Sequence, residues 1–258
     1  MLISLEKIIE KFKIKSVYIA HFGAHHGQEV AMYQTNNFEE IHLFEPQSTA
    51  FELLESSYQN VKNIFLYNFG LGAKNSSSLL HLGSGDGQAS SILKPDLHKD
   101  LYPYIEFNDS EEIEIKKFDD LELNKINFLN IDIQGYELEA LKGCENQLKS
   151  GIEYIYTEVN RKYVYKDCAL IGEIDNYLDN FGFIRVITKW WNILTPWGDA
   201  FYIKKKKLSL SQKLIFSLKK MLFWEPVLFF FYDLFLVIVK FFYFVNSKFR
   251  NLRGRFLS

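Results

Sequence analysis

The stretch NIDIQGYELEALKG (residues 130–143) contains the end of a short apolar run, then a polar turn and then the start of a helical pattern. The run INFLNIDI (126–133) is apolar enough to be a strand buried on both faces of a sheet. Residues 136–150 space their apolar side chains at helical intervals and predict an amphipathic helix. Asp132 ends the strand. A carboxylate in that place is hard to explain by folding alone, so Asp132 is a candidate functional residue.

Strand-like and helix-like segments alternate on both sides of this stretch. We predict strands at 16–23, 40–46, 61–70, 111–121, 126–133, 152–159, 181–189 and 199–205. Helices are predicted at about 28–34, 48–57, 136–150 and 171–180. This alternation predicts an α/β fold with a mostly parallel sheet and helices on both faces. Such sheets bind ligands at the carboxyl ends of their strands, so the residues there are the first to consider.

Two other strand ends carry residues that suit a nucleotide cofactor. HFGAHHG (21–27) places Gly23 and Gly27 around a turn into a helix, where glycine permits a ligand to approach the backbone closely. Glu45 ends the next strand, from which a carboxylate can bind a ribose diol in doubly wound folds. Together these residues favour an adenosine-containing cofactor. His25 replaces the second glycine of G-x-G-x-x-G, which argues against NAD.

The order of motifs along the chain resembles the FkbM-type family of S-adenosylmethionine-dependent methyltransferases. The motifs are HFGAHHG (21–27), FEP (44–46), ASSIL (89–93), NIDIQGYELEALKG (130–143) and TEVN (157–160). The resemblance covers about residues 16–205 and implies a class I methyltransferase (Rossmann-like) fold, doubly wound, with a mostly parallel sheet and an antiparallel strand near its end. It also implies S-adenosylmethionine as the cofactor. His21 departs from the family pattern, which usually has an acid there that helps to hold the amino acid portion of the cofactor.

The resemblance implies a set of site residues as well. Those expected to bind the cofactor are His21, Gly23, Ala24, Gly27, Glu45, Leu71, Ser90, Ser91 and Gln134. Asp132, Glu158 and His25 are the candidates for deprotonating an acceptor hydroxyl, because methyl transfer to oxygen requires loss of a proton from a weak acid. Glu137 begins a helix, and the helix dipole is its simplest explanation. We predict no metal site, although a divalent cation held by Asp132 and Glu158 stays open as an alternative.

The implied reaction is O-methylation of a hydroxyl on a sugar, glycoconjugate or other small molecule. Residues 1–203 hold 18 basic and 30 acidic groups, and this net charge of −12 disfavours binding along a nucleic-acid backbone. The chain has neither a G-x-x-x-x-G-K-[ST] phosphate loop nor a G-x-S-x-G nucleophile elbow. Two alternatives stay open: a membrane-associated, non-catalytic scaffold with a degenerate cofactor pocket, and an NAD-dependent enzyme.

The composition changes towards the C-terminus. From Lys204 onward, 12 lysines and arginines stand against two acids, and 11 of the 24 phenylalanines follow residue 207. We therefore predict a methyltransferase domain at 1–205 and a hydrophobic, basic helical tail at 206–258.

The tail is a candidate for membrane contact. Residues 221–245 are long enough to span a bilayer as a helix, but Asp233 and Lys240 lie inside this stretch. These charges favour contact with a membrane surface through residues 208–256 over a true span. Packing on the sheet domain and an oligomer interface are the alternatives.

The expected location is the cytoplasm, at the cytoplasmic face of a membrane. Cys144 and Cys168 are too few for a disulfide framework and fit a reducing compartment. The first 20 residues mix acids and bases along a helical period, which is unlike a signal peptide.

Overall fold

The structure is a computed structural model that describes residues 1–15, 17–123, 126–192 and 195–222. Its strands are β1 (Tyr18–Phe22), β2 (Glu40–Phe44), β3 (Ile64–Tyr67), β4 (Gly70–Leu71), β5 (Ser76–Leu82), β6 (Asp109–Lys116), β7 (Phe128–Ile131), β8 (Tyr154–Asn160), β9 (Phe183–Trp190) and β10 (Trp197–Lys204). Its α-helices are α1 (Leu5–Phe12), α2 (Val30–Thr35), α3 (Ser48–Tyr58), α4 (His98–Leu101), α5 (Glu137–Lys142), α6 (Glu145–Ser150), α7 (Ile171–Asp179) and α8 (Leu210–Leu222).

Seven of these strands form the main sheet, in the order β3-β2-β1-β7-β8-β10-β9. The first five are parallel to one another, whereas β10 runs antiparallel to both β8 and β9. The predicted α/β fold is therefore confirmed, including the antiparallel strand near the end of the sheet. The strand order reverses between β1 and β7, which is where open α/β sheets bind their ligands.

Burial of the central strands explains their apolar sequences. All four residues of β7 and all seven of β8 are buried, as expected of strands that are covered on both faces. Leu129 and Ile131 of β7 and Ile155 and Val159 of β8 belong to one hydrophobic core, which also includes Phe22 of β1.

Two predicted elements are each divided in the structure. The expected strand at 61–70 becomes β3 in the main sheet and β4 in a smaller sheet. The expected helix at 136–150 becomes α5 and α6, which meet at Gly143 and Cys144. A Cβ added to Gly143 would lie 2.1 Å from the backbone oxygen of Gly72. Close passage of these two backbones therefore accompanies the break in the helix.

The smaller sheet has the order β4-β6-β5 and contains the segment that the sequence predicts as an exposed strand at 111–121. The sequence pattern does not predict β5, because residues 76–78 are three serines. A loop of residues 83–91 follows β5. This serine–glycine loop lies beside the candidate site.

The chain divides into two compact units, Met1–Lys213 and Leu214–Ser258. Most of the predicted tail, residues 223–258, lies outside the described residues, so the domain boundary at 205/206 stays a prediction. Among the described residues, none of the helices has the length and apolar character needed to cross a membrane.

Candidate functional site

A cavity of about 250 Å³ lies at the carboxyl ends of β1, β2 and β7. Eight of the twelve predicted site residues line it: His21, Gly23, His25, Glu45, Leu71, Ser90, Asp132 and Gln134. Ala24, Gly27, Ser91 and Glu158 are not part of the lining. The sheet therefore brings together strand-end residues that are up to 113 positions apart in the sequence.

The turn after β1 packs tightly against the turn after β7. The backbone N–H groups of Gly23 and Ala24 both donate to the carbonyl oxygen of Phe44, at 2.9 and 3.0 Å. Gly23 has a φ of +80°, and a Cβ at this position would lie 2.0 Å from the backbone oxygen of Asp132. Glycine is therefore required here by the backbone itself, and it leaves open the space next to Asp132.

The three small residues outside the lining have structural contacts. Ala24 is completely buried. A Cβ on Gly27 would lie 2.6 Å from the Tyr58 ring, so this glycine allows close packing on α3. Ser91 is also fully buried, and its hydroxyl donates to the backbone oxygen of Gln134 at 2.7 Å. These contacts position the walls of the cavity.

Glu45 is buried and receives two backbone hydrogen bonds. The N–H of His25 donates to its Oε2 and the N–H of Gln47 to its Oε1, both at 2.8 Å. Burial raises the pKa of Glu45 to about 7, against the opposing effect of these two donors. Each carboxyl oxygen has a second lone pair, so Glu45 can still accept hydrogen bonds from a diol.

Both ring nitrogens of His25 have partners. Its Nε2 lies 2.7 Å from the carbonyl oxygen of Asp86, and Nε2 of Gln28 lies 2.8 Å from its Nδ1. The backbone of His25 has a φ of 47°, which is uncommon for a residue with a side chain. Because the carbonyl can only accept, Nε2 carries the proton and Nδ1 accepts from the amide. This arrangement fastens the serine–glycine loop to the turn after β1 and disfavours His25 as the base.

His21 is buried, and its hydrogen bonds define its tautomer. The Nδ2 of Asn130 donates to the Tyr33 hydroxyl at 2.7 Å, and that hydroxyl lies 3.2 Å from Nδ1 of His21. The hydroxyl proton is thus directed to Nδ1, which leaves Nε2 protonated. Burial lowers the pKa of His21 to about 4, so the ring is neutral at pH 7. At the position where the family pattern has an acid, this chain therefore has a neutral ring with a protonated Nε2.

Asp132 reaches the cavity from the end of β7 and remains open to solvent there. Desolvation in the cleft raises the pKa of Asp132 to about 6, and the carboxylates of Asp199 and Glu29 act in the same direction. Nε2 of Gln134 donates to its Oδ1 at 2.9 Å and favours the ionised form. A carboxyl with a pKa near 6 is largely ionised at neutral pH and can still take up a proton, as a general base requires.

Glu158 lies in β8, outside the cavity lining. It is 8% exposed and pairs in register with Asp199 of β10. Burial, followed by the charges of Asp132 and Glu137, raises its pKa well above the usual range. Burial therefore favours the protonated form of Glu158, which makes it a weaker candidate for the base than Asp132.

Glu137 does more than the helix-dipole explanation requires. Its side chain is completely buried, and its Oε1 accepts the N–H groups of Ile133 (3.2 Å) and Gly135 (3.0 Å). These bonds hold the turn that carries Gln134, whose φ is 54°. The sequence alone does not predict this role of Glu137, because it depends on the geometry of the turn at residues 133–135.

Fourteen further lining residues are not among the site residues predicted from the sequence. They are Phe22, Gln28, Glu29, Phe44, Pro46, Gln47, Phe69, Gly70, Leu80, Gly87, Gln88, Ile92, Ile133 and Tyr136. Leu80 lies in β5, and Ile92 directly follows the serine–glycine loop. Within the described part of the chain, no group of three or more His, Cys, Asp or Glu side chains is placed to hold a metal ion.

Comparison with known proteins gives a family and a fold. Residues 21–185 match the family described as the methyltransferase FkbM domain. The methyltransferase FkbM of Methylobacillus flagellatus KT is 16% identical, with a TM-score of 0.50; the match covers 73% of this chain and 43% of that one. This chain thus spans less than half the length of that protein. Sp1610 of Streptococcus pneumoniae is 11% identical, with a TM-score of 0.50 and coverage of 93% and 87%. No curated protein matches the sequence.

Proposed function

The chain belongs to the FkbM family of methyltransferases, and we propose that it transfers the methyl group of S-adenosylmethionine to a hydroxyl of a sugar, glycoconjugate or other small molecule. The observation that carries this proposal is the cavity in which the Gly23 turn, Glu45 and Asp132 meet. A close-packed glycine turn, a diol acceptor and a carboxyl suited to proton transfer are the parts that this chemistry needs.

The charge of the cavity fits the cofactor. Glu29, Glu45 and Asp132 line it, and its described lining includes no lysine or arginine. S-adenosylmethionine, when bound, supplies a methyl group activated by a positively charged sulfonium. Carboxylates around a narrow cleft favour such a cation, because charges of one sign focus the field there. They disfavour an acceptor that carries phosphate close to the reacting hydroxyl.

Each residue then has a defined task. Glu45 accepts hydrogen bonds from the ribose diol, and the wall around Leu71 lies beside the adenosine portion. The Gly23 turn leaves room for the methionine portion, which His21 contacts through Nε2–H. Asp132 orients the acceptor hydroxyl and takes its proton as the new carbon–oxygen bond forms. The products are a methyl ether, S-adenosylhomocysteine and protonated Asp132, which returns its proton to water.

Glu45→Gln is expected to weaken S-adenosylmethionine binding by about 1–3 kcal/mol, or roughly 5- to 150-fold in Kd. The variant keeps the shape but turns one carboxyl oxygen into an NH₂ group, which can no longer accept from the diol. Isothermal titration calorimetry of the full chain measures the change, and circular dichroism checks the fold. Glu52→Gln, on the exposed side of α3, is the matched control. Equal affinities of Glu45→Gln and Glu52→Gln would rule out the diol contact.

We propose in addition that residues 208–256 contact the cytoplasmic surface of a membrane. The support is compositional: the stretch 221–245 is apolar and aromatic, and lysines and arginines lie on both sides of it. Basic groups near an anionic surface contribute about 1 kcal/mol each. An aromatic segment of this size is costly to leave in water.

Flotation with phosphatidylserine-containing vesicles tests this contact on the full chain and on a truncation that ends at Lys213. Truncating earlier would remove Leu208, which is buried, and Lys207, whose Nζ lies 2.7 Å from Glu153. We expect the full chain to float with the vesicles and the truncation to stay in solution. A full chain that stays in solution as an oligomer would instead assign the tail to an interface between copies.

A further inference from the structure

Tyr165 lies outside the predicted site, on the segment between β8 and α7, yet its hydroxyl reaches the turn after β7. The side chain is 1% exposed. Its hydroxyl oxygen lies 2.9 Å from Oε1 of Gln134 and 2.9 Å from the backbone oxygen of Ala89. A phenol has a single proton to donate, so these two acceptors share it. Tyr165 therefore connects the serine–glycine loop with the turn that carries Asp132.

Gln134 extends this contact to Asp132. Its Nε2 donates to Oδ1 of Asp132 at 2.9 Å. An ionised carboxylate can only accept, so the amide must present its NH₂ group to Asp132 and its oxygen to Tyr165. The hydrogen bonds thus run in one direction, from Tyr165 through Gln134 to Asp132, and each link favours the ionised carboxylate.

The position of Tyr165 is determined by its backbone and by the glycine beneath it. Tyr165 forms an antiparallel bridge with Pro95, and the N–H of Lys166 donates to the oxygen of Lys94 at 2.8 Å. Gly135 has a φ of +98°, and a Cβ there would lie 3.3 Å from Cβ of Tyr165 and 2.9 Å from Cβ of Cys168. The segment consequently packs directly on the turn, which makes the hydrogen-bond chain a rigid one.

We propose that Tyr165 is a positioning residue that holds Asp132, through Gln134, in the orientation that accepts the proton of the acceptor hydroxyl. The proposal rests on the proposed function, because it assigns Asp132 as the base. Tyr165 remains a donor over the working pH range, since burial, followed by the acidic side chains of Glu158 and Asp132, raises its pKa well above the usual value.

Tyr165→Phe removes the hydroxyl and keeps the ring. Without its partner, the Gln134 amide no longer holds Asp132, and kcat is expected to fall roughly 10- to 100-fold. The midpoint of the Asp132 titration is expected to rise by about one pH unit, because the Gln134 amide that stabilises the ionised form is no longer held in place. Tyr163→Phe, two residues away and 51% exposed, is the matched control and should change neither quantity.

NMR titration of ¹³C-carboxyl-labelled aspartate in the full chain gives the Asp132 midpoint without any turnover. The NMR titration therefore tests the positioning role even if the acceptor is not a hydroxyl. Absence of S-adenosylmethionine binding, in contrast, would count against the proposed function. Gln134→Asn is the second variant: asparagine tolerates a positive φ, and its shorter amide cannot reach both partners. We expect it to raise the midpoint as Tyr165→Phe does. An unchanged midpoint in both variants overturns the proposal, and lower cofactor affinity with an unchanged midpoint would reduce Tyr165 to an anchor for the loop.

Discussion

Asp132→Asn is expected to lower kcat by roughly 100-fold or more while S-adenosylmethionine binding is largely retained. The amide has the shape of the carboxyl but cannot take the proton of the acceptor hydroxyl. The wild-type rate should depend on pH in a matching way. A base acts only when ionised, so kcat should rise with pH through about 6, where Asp132 titrates, and level off above it. Asp132→Asn should lose this limb of the profile.

Turnover with the first hydroxylated acceptor that supports it, followed over pH, measures both effects. Asp100→Asn, at an exposed position, is the control for removing one negative charge. Glu158→Gln tests the rival base and should cost less, since burial raises the pKa of Glu158 and favours its protonated form. A larger loss in Glu158→Gln than in Asp132→Asn would transfer the role to Glu158.

Gly23→Ala is expected to lower the free energy of unfolding by at least about 3 kcal/mol. Two costs combine. The added Cβ would meet the backbone oxygen of Asp132 at 2.0 Å, and φ is +80°. The sequence predicts only that Gly23 lets a ligand approach the backbone closely. In the structure, the added Cβ would clash with the backbone at the end of β7, so stability should fall even without cofactor.

Two other glycines separate these costs. Gly182 has a φ of +77° with nothing within 4 Å of an added Cβ, so Gly182→Ala should cost only the strain of about 1–2 kcal/mol. Gly172, within α7, has open space and no unusual φ, and Gly172→Ala should stabilise the protein by up to about 1 kcal/mol. Urea unfolding of the three variants measures the differences. If Gly23→Ala behaves like Gly182→Ala, the turns after β1 and β7 do not pack as described.

The sequence predicts the main sheet well because its strands are short apolar runs separated by helical patterns. The segments predicted around β1, β2, β7 and β8 each lie within a few residues of the observed strands. The prediction fails where tertiary contacts determine the bounds of a helix or strand. A continuous helical pattern at 136–150 gives no sign of the break at Gly143, which accompanies the close approach of Gly72. The serines of β5 have low apolar content, and only pairing with β6 makes them a strand.

The residues of the candidate site likewise include some that the sequence predicts and some that only the folded chain shows. Gly23, Glu45 and Asp132 can be found from sequence because each directly follows an apolar strand, and parallel strands end at one edge. Tyr165 lies in a segment without periodic pattern, and only the folded chain shows that it reaches Gln134. Ser91 is predicted at the cofactor from the sequence; in the structure it lies outside the cavity lining, and its hydroxyl donates to the backbone oxygen of Gln134. Neighbouring serines in a loop cannot be told apart by sequence pattern.

Calorimetric titration of the full chain with S-adenosylmethionine tests the central claim most directly. The cavity at the carboxyl ends of β1, β2 and β7 should bind one molecule per chain, with an affinity that Glu45→Gln lowers and Glu52→Gln leaves unchanged. Absence of binding at millimolar cofactor, in a chain shown to be folded, would contradict the account and favour a non-catalytic scaffold.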